Sequence, residues 1–184
     1  LFELLLTKEQ IGHILAVLRK HQIPMVLEGP NYIYVDEKDF VDDPYVIYLR
    51  NELGENLKSI TGTAQYEVNK LSAELGNADV ELVRKELGTE FDMIVHEPDG
   101  ILEIGQAGHS KASGIERLCA SLGIAKEDTY AFGDSANDVE MLEFVAHGIA
   151  MGNGTDVAKN AAEFVTTDIH KDGIWNGLKH YGLI

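Results

Sequence analysis

The sequence has little cysteine and no long apolar run, and both shortages limit what the protein can be. A single cysteine, Cys119, excludes an internal disulfide and fits a reducing compartment. No stretch approaches the roughly 18 apolar residues that a membrane-spanning helix needs, and no signal-peptide pattern opens the chain. We therefore expect a cytoplasmic protein with no membrane partner. Cys119 shares an apolar helical pattern with Ile115, Leu118 and Leu122, which predicts a buried thiol and not a nucleophile.

Positive charge is also scarce. The 184 residues include 15 lysines and arginines against 31 aspartates and glutamates, which gives a net charge of −16 at pH 7. The acidic excess extends over both halves of the chain. Nucleic acids and anionic membranes bind basic patches, so this composition argues against either as a partner.

Apolar periodicity and turn residues predict a mixed pattern in the first part of the chain. A capping box at Thr7 and Gln10 precedes apolar residues at helical spacing. Two further helices are predicted at 44–53 and 80–87, each followed by a glycine. Short alternating segments predict strands at 25–27, 32–35, 66–71 and 91–95. Strands that succeed one another without helices between them favour an α+β unit.

The second part of the chain alternates regularly between strands and helices. Strands are predicted at 101–104, 129–132, 148–151 and 164–166, and helices at 111–122, 138–145, 157–162 and 173–180. This alternation is typical of an α/β fold with a doubly wound parallel sheet. A turn at 97–100 separates the two parts. We therefore predict an α+β domain at 1–97 and an α/β domain at 98–184.

The most informative segment is GDSAND at 133–138, which follows a short apolar run and precedes a predicted helix. It places Asp134, Asn137 and Asp138 at the end of a buried strand. Acidic side chains in such a position are costly unless their charge has a partner, and the usual partners are a hard cation or a lysine. At the carboxyl end of a parallel sheet, this arrangement fits a site that handles phosphate.

GDSAND resembles the fourth motif, GDxxND, of the haloacid dehalogenase superfamily of phosphohydrolases. GHSKASG at 108–114 resembles the segment that carries the superfamily's motif lysine, and GIAMGNG at 148–154 resembles the next core strand and its turn. The similarity is strongest with the Cof-type subgroup. It implies a Rossmann-like core with a large α+β cap domain. It also implies Mg²⁺-dependent hydrolysis of a small phosphomonoester, such as a sugar phosphate, through an aspartyl-phosphate.

The resemblance assigns roles to three residues of these motifs. Asp134 corresponds to a direct Mg²⁺ ligand, although an aspartate there could instead cap the following helix. Asn137 corresponds to a contact with the substrate phosphate or the leaving group, and the alternative is a turn residue. Lys111 corresponds to the cation that offsets the charge of the nucleophile and the phosphate. The alternative for Lys111 is a solvated lysine in the first turn of a helix.

Other residues of the motifs receive a supporting interpretation. Asp138 corresponds to the second acidic position, where it either supports the metal site from behind or orients the lysine; direct metal ligation is the weaker alternative. His109, beside the motif lysine, is interpreted as a loop residue. The glycines of the GNG turn at 152–154 are interpreted as structural. Trp175 and Tyr181 are predicted to anchor the last helix in the core.

One part of the superfamily's pattern is missing. The nucleophile motif DxD, which ends the first core strand, has no counterpart, and neither has the serine or threonine that closes the second strand. We therefore expect the nucleophilic aspartate to lie upstream of these residues, which would comprise the cap and the carboxyl-terminal half of an incomplete core. Such a chain should be inactive by itself. The alternative is a natural chain that has lost its catalytic strand and acts as a binding or scaffold protein.

Two other enzyme classes with a similar acidic motif fit the sequence less well. Cation-pumping ATPases need membrane spans, and phosphoserine-phosphatase-like enzymes insert their cap earlier in the chain. The resemblance to the Cof-type subgroup thus implies a small-molecule phosphate ester as the partner.

Overall fold

The computed structural model describes residues 3–36, 40–60, 66–96 and 100–184. The chain forms two compact units, Leu1–Ala107 and Gly108–Ile184. The predicted domain boundary and part of the predicted turn fall on residues 97–99, which lie outside the described residues. The division comes after Ala107 because the strand Ile101–Gln106 belongs to the sheet of the first unit.

The first unit contains a six-stranded sheet with the order β3-β2-β1-β4-β6-β5. Its strands are β1 (Met25–Glu28), β2 (Ile33–Val35), β3 (Leu57–Ser59), β4 (Lys70–Glu74), β5 (Phe91–His96) and β6 (Ile101–Gln106). Its helices are α1 (Lys8–Lys20), α2 (Pro44–Leu53) and α3 (Val80–Leu87). All neighbouring strands are antiparallel except β2 and β3, which are parallel. This mixed architecture agrees with the predicted α+β unit.

The predicted capping box starts α1. The Gln10 amide donates to Thr7 Oγ1 over 3.2 Å, and the Thr7 amide donates to Gln10 Oε1 over 2.9 Å. The apolar face of α1 is buried as predicted, together with α3 and one face of the sheet, in a core that includes Ile14, Leu18 and Leu71. Each such fully buried side chain stabilises the fold by about 1.5–3 kcal/mol relative to exposure.

A smaller cluster lies where α2 packs on β1 and β2. Val26, Val35 and Val46 are buried there. Because successive residues of a strand point to opposite faces, Val26 belongs to this cluster while its neighbour Leu27 belongs to the larger core. The first sheet is therefore packed on both faces.

The second unit has the alternating pattern that the sequence predicted. Its three strands form a parallel sheet with the order β7-β8-β9, and four helices accompany it. The strands are β7 (Tyr130–Gly133), β8 (His147–Ala150) and β9 (Phe164–Val165). The helices are α4 (Lys111–Leu122), α5 (Val139–Phe144), α6 (Asp156–Ala161) and α7 (Gly173–His180). Among the described residues, every helix is too short or too polar to cross a bilayer.

Some predicted features are wrong. The strand predicted at 66–71 lies at Lys70–Glu74, and β3 was not predicted. The predicted burial of the α4 face is also wrong, because Cys119 is only half-buried and Leu122 is 62% exposed. Trp175 is 52% exposed and therefore does not anchor the core.

Candidate active site

Asp134 lies at the carboxyl end of β7, directly after the strand. β7 and β8 are parallel neighbours, with Gly133 opposite Ala150, which agrees with the predicted parallel sheet. The hydrogen bonding between β7 and β8 continues up to the site, because the Met151 amide donates to the Gly133 carbonyl oxygen over 2.9 Å. The motif residues after Gly133 therefore start from a fixed position at the edge of the sheet.

Asp138 organises the turn that follows. Its Oδ2 accepts hydrogen bonds from the amides of Asp134, over 2.9 Å, and Ser135, over 3.2 Å. Residues Ala136–Asp138 form a single 3₁₀ turn, which Asp138 ends. Asp138 packs directly over Gly133, where an added Cβ would lie 2.6 Å from the Asp138 Cβ. The first glycine of GDSAND therefore makes room for its last aspartate.

Lys111 reaches the same turn from α4. Ser110 caps this helix, because its Oγ accepts from the Ser113 amide, and Lys111 is the first helical residue. The Lys111 Nζ donates to Asp138 Oδ1 over 2.5 Å and to Asn137 Oδ1 over 3.3 Å. A cation in the first turn of a helix opposes the helix dipole. The Asp138 carboxylate offsets that cost and fixes the position of the ammonium group.

The electrostatics of Asp138 follow from these contacts. Its side chain is 6% exposed and that of Lys111 is 49% exposed. Burial acts to raise the pKa of Asp138, but the hydrogen bonds from Lys111 and from the amides of Asp134 and Ser135 outweigh it, and the pKa is lowered. Asp138 is therefore a permanent anion at neutral pH that serves as the acceptor for three donors.

This lowered pKa predicts a dependence of stability on pH. A carboxyl group whose pKa is lower in the folded than in the unfolded state contributes stability above its unfolded pKa, which is about 3.9 for aspartate. That contribution is lost as the pH falls through the lower, folded value. We expect the unfolding free energy of the second unit to decline with acidification in this range, and to decline less steeply in Asp138→Asn. Denaturant unfolding between pH 6 and pH 3 measures this free energy for both proteins. If the two plots of unfolding free energy against pH are parallel, the prediction is wrong.

Asn137 lies between Lys111 and Ser135. Its Oδ1 accepts from Ser135 Oγ over 2.7 Å as well as from Lys111 Nζ. A carboxamide has one acceptor oxygen and one nitrogen with two donor hydrogens. With the oxygen engaged by both neighbours, the nitrogen is the atom that can donate to a bound anion.

The Asp134 side chain differs from that of Asp138. It is exposed, and within the described parts of the chain its carboxylate makes no hydrogen bond or ion pair. Only its main chain is held: the carbonyl oxygen accepts from the Thr155 amide over 2.8 Å and from Thr155 Oγ1 over 3.3 Å. Ser135, not Asp134, precedes the 3₁₀ turn as its cap residue. The capping alternative for Asp134 therefore has no support in its contacts.

Asp134 is one of the residues that line a cavity of about 310 Å³ in the second unit. Its lining is mostly apolar: Phe132, Gly133, Asp134, Met151, Asn153, Ile169 and Ile174. Asn153 fixes one wall, because its Oδ1 accepts from the Ile169 amide over 2.9 Å. Gly154 allows the turn after β8 to approach the Asp134 backbone, where an added Cβ would lie 3.0 Å from the Asp134 Cα. These contacts agree with the structural interpretation of the GNG turn.

Two residues of the site were not predicted. Ser135 holds Asn137 through its hydroxyl, and Thr155 holds the Asp134 carbonyl. The S-x-x-D spacing of Ser135 and Asp138 is a capping-box pattern and could have indicated the first. No sequence signal indicates the second. His109 contacts Arg117, with 3.3 Å between His109 Nε2 and Arg117 Nη2.

The donor set decides which metal the site could take. In the described ranges, no group of three or more histidine, cysteine, aspartate or glutamate side chains could enclose a metal ion. An exposed, unpaired carboxylate is nevertheless the kind of ligand that Mg²⁺ uses, since Mg²⁺ keeps several waters and binds one or two carboxylates together with substrate phosphate. Asp134 therefore fits one position in the coordination of such an ion.

Comparisons with known proteins agree with this geometry. The family model for haloacid dehalogenase-like hydrolases matches residues 1–178. The chain is 36% identical over 138 residues to the Bacillus subtilis 5-amino-6-(5-phospho-D-ribitylamino)uracil phosphatase YitU, covering 72% of this chain and 47% of that protein. It is 30% identical, over an alignment of 193 positions, to a phosphoglycolate phosphatase from Halobacterium salinarum; the alignment covers 88% of this chain and 85% of that protein.

Solved structures show the same relationship. A protein from Geobacillus kaustophilus HTA426 superposes with a TM-score of 0.79 at 31% identity, covering 100% of this chain and 71% of that one. A sugar phosphatase of subclass IIB superposes with a TM-score of 0.80 at 24% identity, covering 98% and 68%. This confirms the predicted fold, a Rossmann-like core with an α+β cap. The chain belongs to the haloacid dehalogenase-like hydrolases, and its relatives are Cof-type phosphatases, as the motifs at 108–114, 133–138 and 148–154 predicted.

Proposed function

We propose that this chain is part of a Mg²⁺-dependent phosphatase that hydrolyses a small phosphomonoester, such as a sugar phosphate. The observation that carries the proposal is the contact of Lys111 with Asp138 and Asn137, next to an unpaired Asp134 carboxylate at the carboxyl end of a parallel strand. The names of the relatives support a phosphate ester of a small metabolite as substrate. Absence of nucleic-acid and membrane partners and a cytoplasmic location stay predictions from the composition.

Each residue of the site has a distinct part in this proposal. The Asp134 carboxylate would hold Mg²⁺, which supplies charge neutralisation at the transferring phosphoryl group when bound. The Lys111 ammonium would add a second positive charge beside the same group. The Asn137 nitrogen would donate to a phosphate or leaving-group oxygen. Asp138 would touch no substrate; it would position Lys111 and the amides of the turn.

The nucleophile would come from outside these residues. Covalent phosphatase chemistry requires a carboxylate free to attack in line with the leaving oxygen. In this proposal Asp134 holds the metal, and Asp138 is buried with both oxygens accepting hydrogen bonds. The region of similarity covers 47% of YitU and 68% of the solved sugar phosphatase. Within the described residues β7 pairs only with β8, so its second edge could accept the strand that carries the aspartate.

The test compares two purified polypeptides, the 184-residue chain and the complete product of its gene. We expect no measurable hydrolysis of p-nitrophenyl phosphate by the first, with or without Mg²⁺. We expect hydrolysis by the second that EDTA abolishes and that Mg²⁺ restores. A panel of sugar phosphates then ranks substrates by kcat/KM.

The result also separates the proposal from its main alternative. If the complete gene product is folded but shows no turnover with any phosphate ester of the panel, it is a binding or scaffold protein. If the 184-residue chain hydrolyses the ester and Asp134→Asn retains that activity, the chemistry resides elsewhere in the chain.

A further inference from the structure

Two neighbouring donors set the orientation of the Asn137 carboxamide. Its Oδ1 accepts a hydrogen bond from Ser135 Oγ over 2.7 Å and another from Lys111 Nζ over 3.3 Å. An ammonium group can only donate hydrogen bonds, so a flipped carboxamide would point its own NH₂ group at the Lys111 ammonium. The two donors therefore select the orientation in which the oxygen faces them and the nitrogen faces away.

Of these two contacts, the one from Ser135 is the closer. Its length is the usual one for a hydrogen bond between a hydroxyl group and an oxygen, about 2.7–2.8 Å, whereas the contact from Lys111 is longer than most hydrogen bonds from nitrogen to oxygen. The Lys111 ammonium lies nearer to Asp138, with 2.5 Å between Nζ and Oδ1. The Ser135 hydroxyl is therefore the main hold on the Asn137 carboxamide.

The backbone of Ser135 is itself fixed. Its amide donates to Asp138 Oδ2 over 3.2 Å, and its backbone is extended, with φ −136° and ψ 178°. The hydroxyl thus starts from a defined position one turn away from the carboxamide. The last torsion of an asparagine side chain, by contrast, is soft and has no single preferred value. Without the hydroxyl, the Asn137 carboxamide would therefore turn more freely.

We propose that Ser135 is a positioning residue of the active site, whose hydroxyl orients the Asn137 carboxamide so that its nitrogen donates to an oxygen of the phosphate ester. This role rests on the proposed function, in which Asn137 contacts the phosphate or the leaving group. In that function the Lys111 ammonium serves the phosphate, so it is a poor fixed support for Asn137. The hydroxyl of Ser135 has one hydrogen, and Asn137 takes it. Ser135 therefore acts through Asn137 and touches no substrate atom.

The test measures kcat/KM of the complete gene product for p-nitrophenyl phosphate with Mg²⁺. Ser135→Ala should lower kcat/KM by about fivefold, the net effect of one hydrogen bond. Ser135→Thr keeps the hydroxyl on an extended backbone that suits a β-branched residue, and it should restore kcat/KM to within about twofold of the wild type. Ser121→Ala is the matched control. It removes the hydroxyl of an exposed serine on α4 and should leave kcat/KM unchanged.

A double-mutant cycle with Asn137→Ala separates a positioning role from a structural one. If Ser135 acts only through the carboxamide, adding Ser135→Ala to Asn137→Ala should change kcat/KM by less than about twofold. If Ser135 only supports the fold, or itself contacts the substrate, the loss of about fivefold should persist in the Asn137→Ala background. Persistence of that loss, or failure of Ser135→Thr to restore kcat/KM, overturns the proposal.

The wild-type measurement separates this role from the proposed function. A complete gene product without turnover overturns the proposed function, and the role of Ser135 with it. If the wild type is active and either Ser135→Ala or Asn137→Ala keeps its full kcat/KM, only the positioning role of Ser135 is overturned, because the proposed parts of Asp134 and Lys111 do not depend on it.

Discussion

Gly133→Ala should lower the unfolding free energy of the second unit by about 3 kcal/mol, since it combines overpacking with the loss of several hydrogen bonds. The added methyl group would lie 2.6 Å from the Asp138 Cβ. The strand cannot move away, because it is paired with β8 through Ala150 and through the Met151 amide. Asp138 must therefore shift, and its carboxylate then loses its hydrogen bonds from the amides of the turn and from Lys111.

The measurement is denaturant unfolding followed by fluorescence of Trp175, the single tryptophan, which lies in the second unit. Gly114→Ala is the matched control. Gly114 lies inside α4 with nothing within 4 Å of its added Cβ, so this variant should be more stable than the wild type by about 0.5–1 kcal/mol. If the unfolding free energy of Gly133→Ala is within about 0.5 kcal/mol of the wild-type value, the close packing of Gly133 on Asp138 does not hold the site together.

Helix ends were predictable from the sequence because their signals are local. The Thr7 capping box and the glycines at 54 and 88 mark helix boundaries that the structure contains. The signals depend on which residues can satisfy the unpaired amides and carbonyls of a terminus, or adopt a positive φ. The surrounding fold has little influence on either requirement.

Strand pairing in the first unit was harder to predict, and β4 shows why. Tyr66 and Val68 alternate like strand residues and pack in or against the core. They do so from an irregular segment, and pairing with β1 starts only at Lys70. Burial and ladder hydrogen bonding are separate requirements, and apolar alternation reports only the first of them. The strand predicted from the alternation at 66–71 therefore begins before the true start of β4 at Lys70.

Burial of helix faces could not be predicted from periodicity alone. Leu118 and Leu122 have the spacing of a core face, yet they are 49% and 62% exposed. An apolar stripe shows which face of a helix avoids water, and says nothing about which element covers that face. The same limit explains the exposed Trp175 on α7.

The site was predicted in part. The GDSAND segment and its position after a strand indicated that Asp134, Asn137 and Asp138 would lie together at a sheet edge. Only the resemblance to a family brought Lys111 into the same site, because no periodicity relates α4 to that turn. The different environments of the two aspartates could not be predicted from the sequence, because they depend on tertiary contacts. Asp138 is buried among hydrogen-bond donors, whereas the Asp134 carboxylate has no hydrogen-bond partner among the described residues.

This difference leads to the second large effect, which concerns activity. In the complete gene product, Asp134→Asn should lower kcat/KM for a phosphomonoester by about 10³-fold or more, because a neutral amide is a poor Mg²⁺ ligand and the metal's charge stabilisation is lost. Its unfolding free energy should stay within about 0.5 kcal/mol of the wild type, since the side chain has no hydrogen bond to lose. Asp156→Asn, which removes another exposed carboxylate of the second unit, is the activity control and should leave kcat/KM unchanged.

Lys111→Met completes the comparison. It should reduce kcat/KM and also reduce stability, because Asp138 would remain buried without the ammonium group that its Oδ1 contacts. Activity assays and denaturant unfolding on the same preparations therefore distinguish a residue that acts on the metal and substrate from one that also supports the turn. If Asp134→Asn destabilises the protein as much as Lys111→Met does, Asp134 is a structural residue. If Asp134→Asn keeps wild-type turnover, the proposed metal position is wrong.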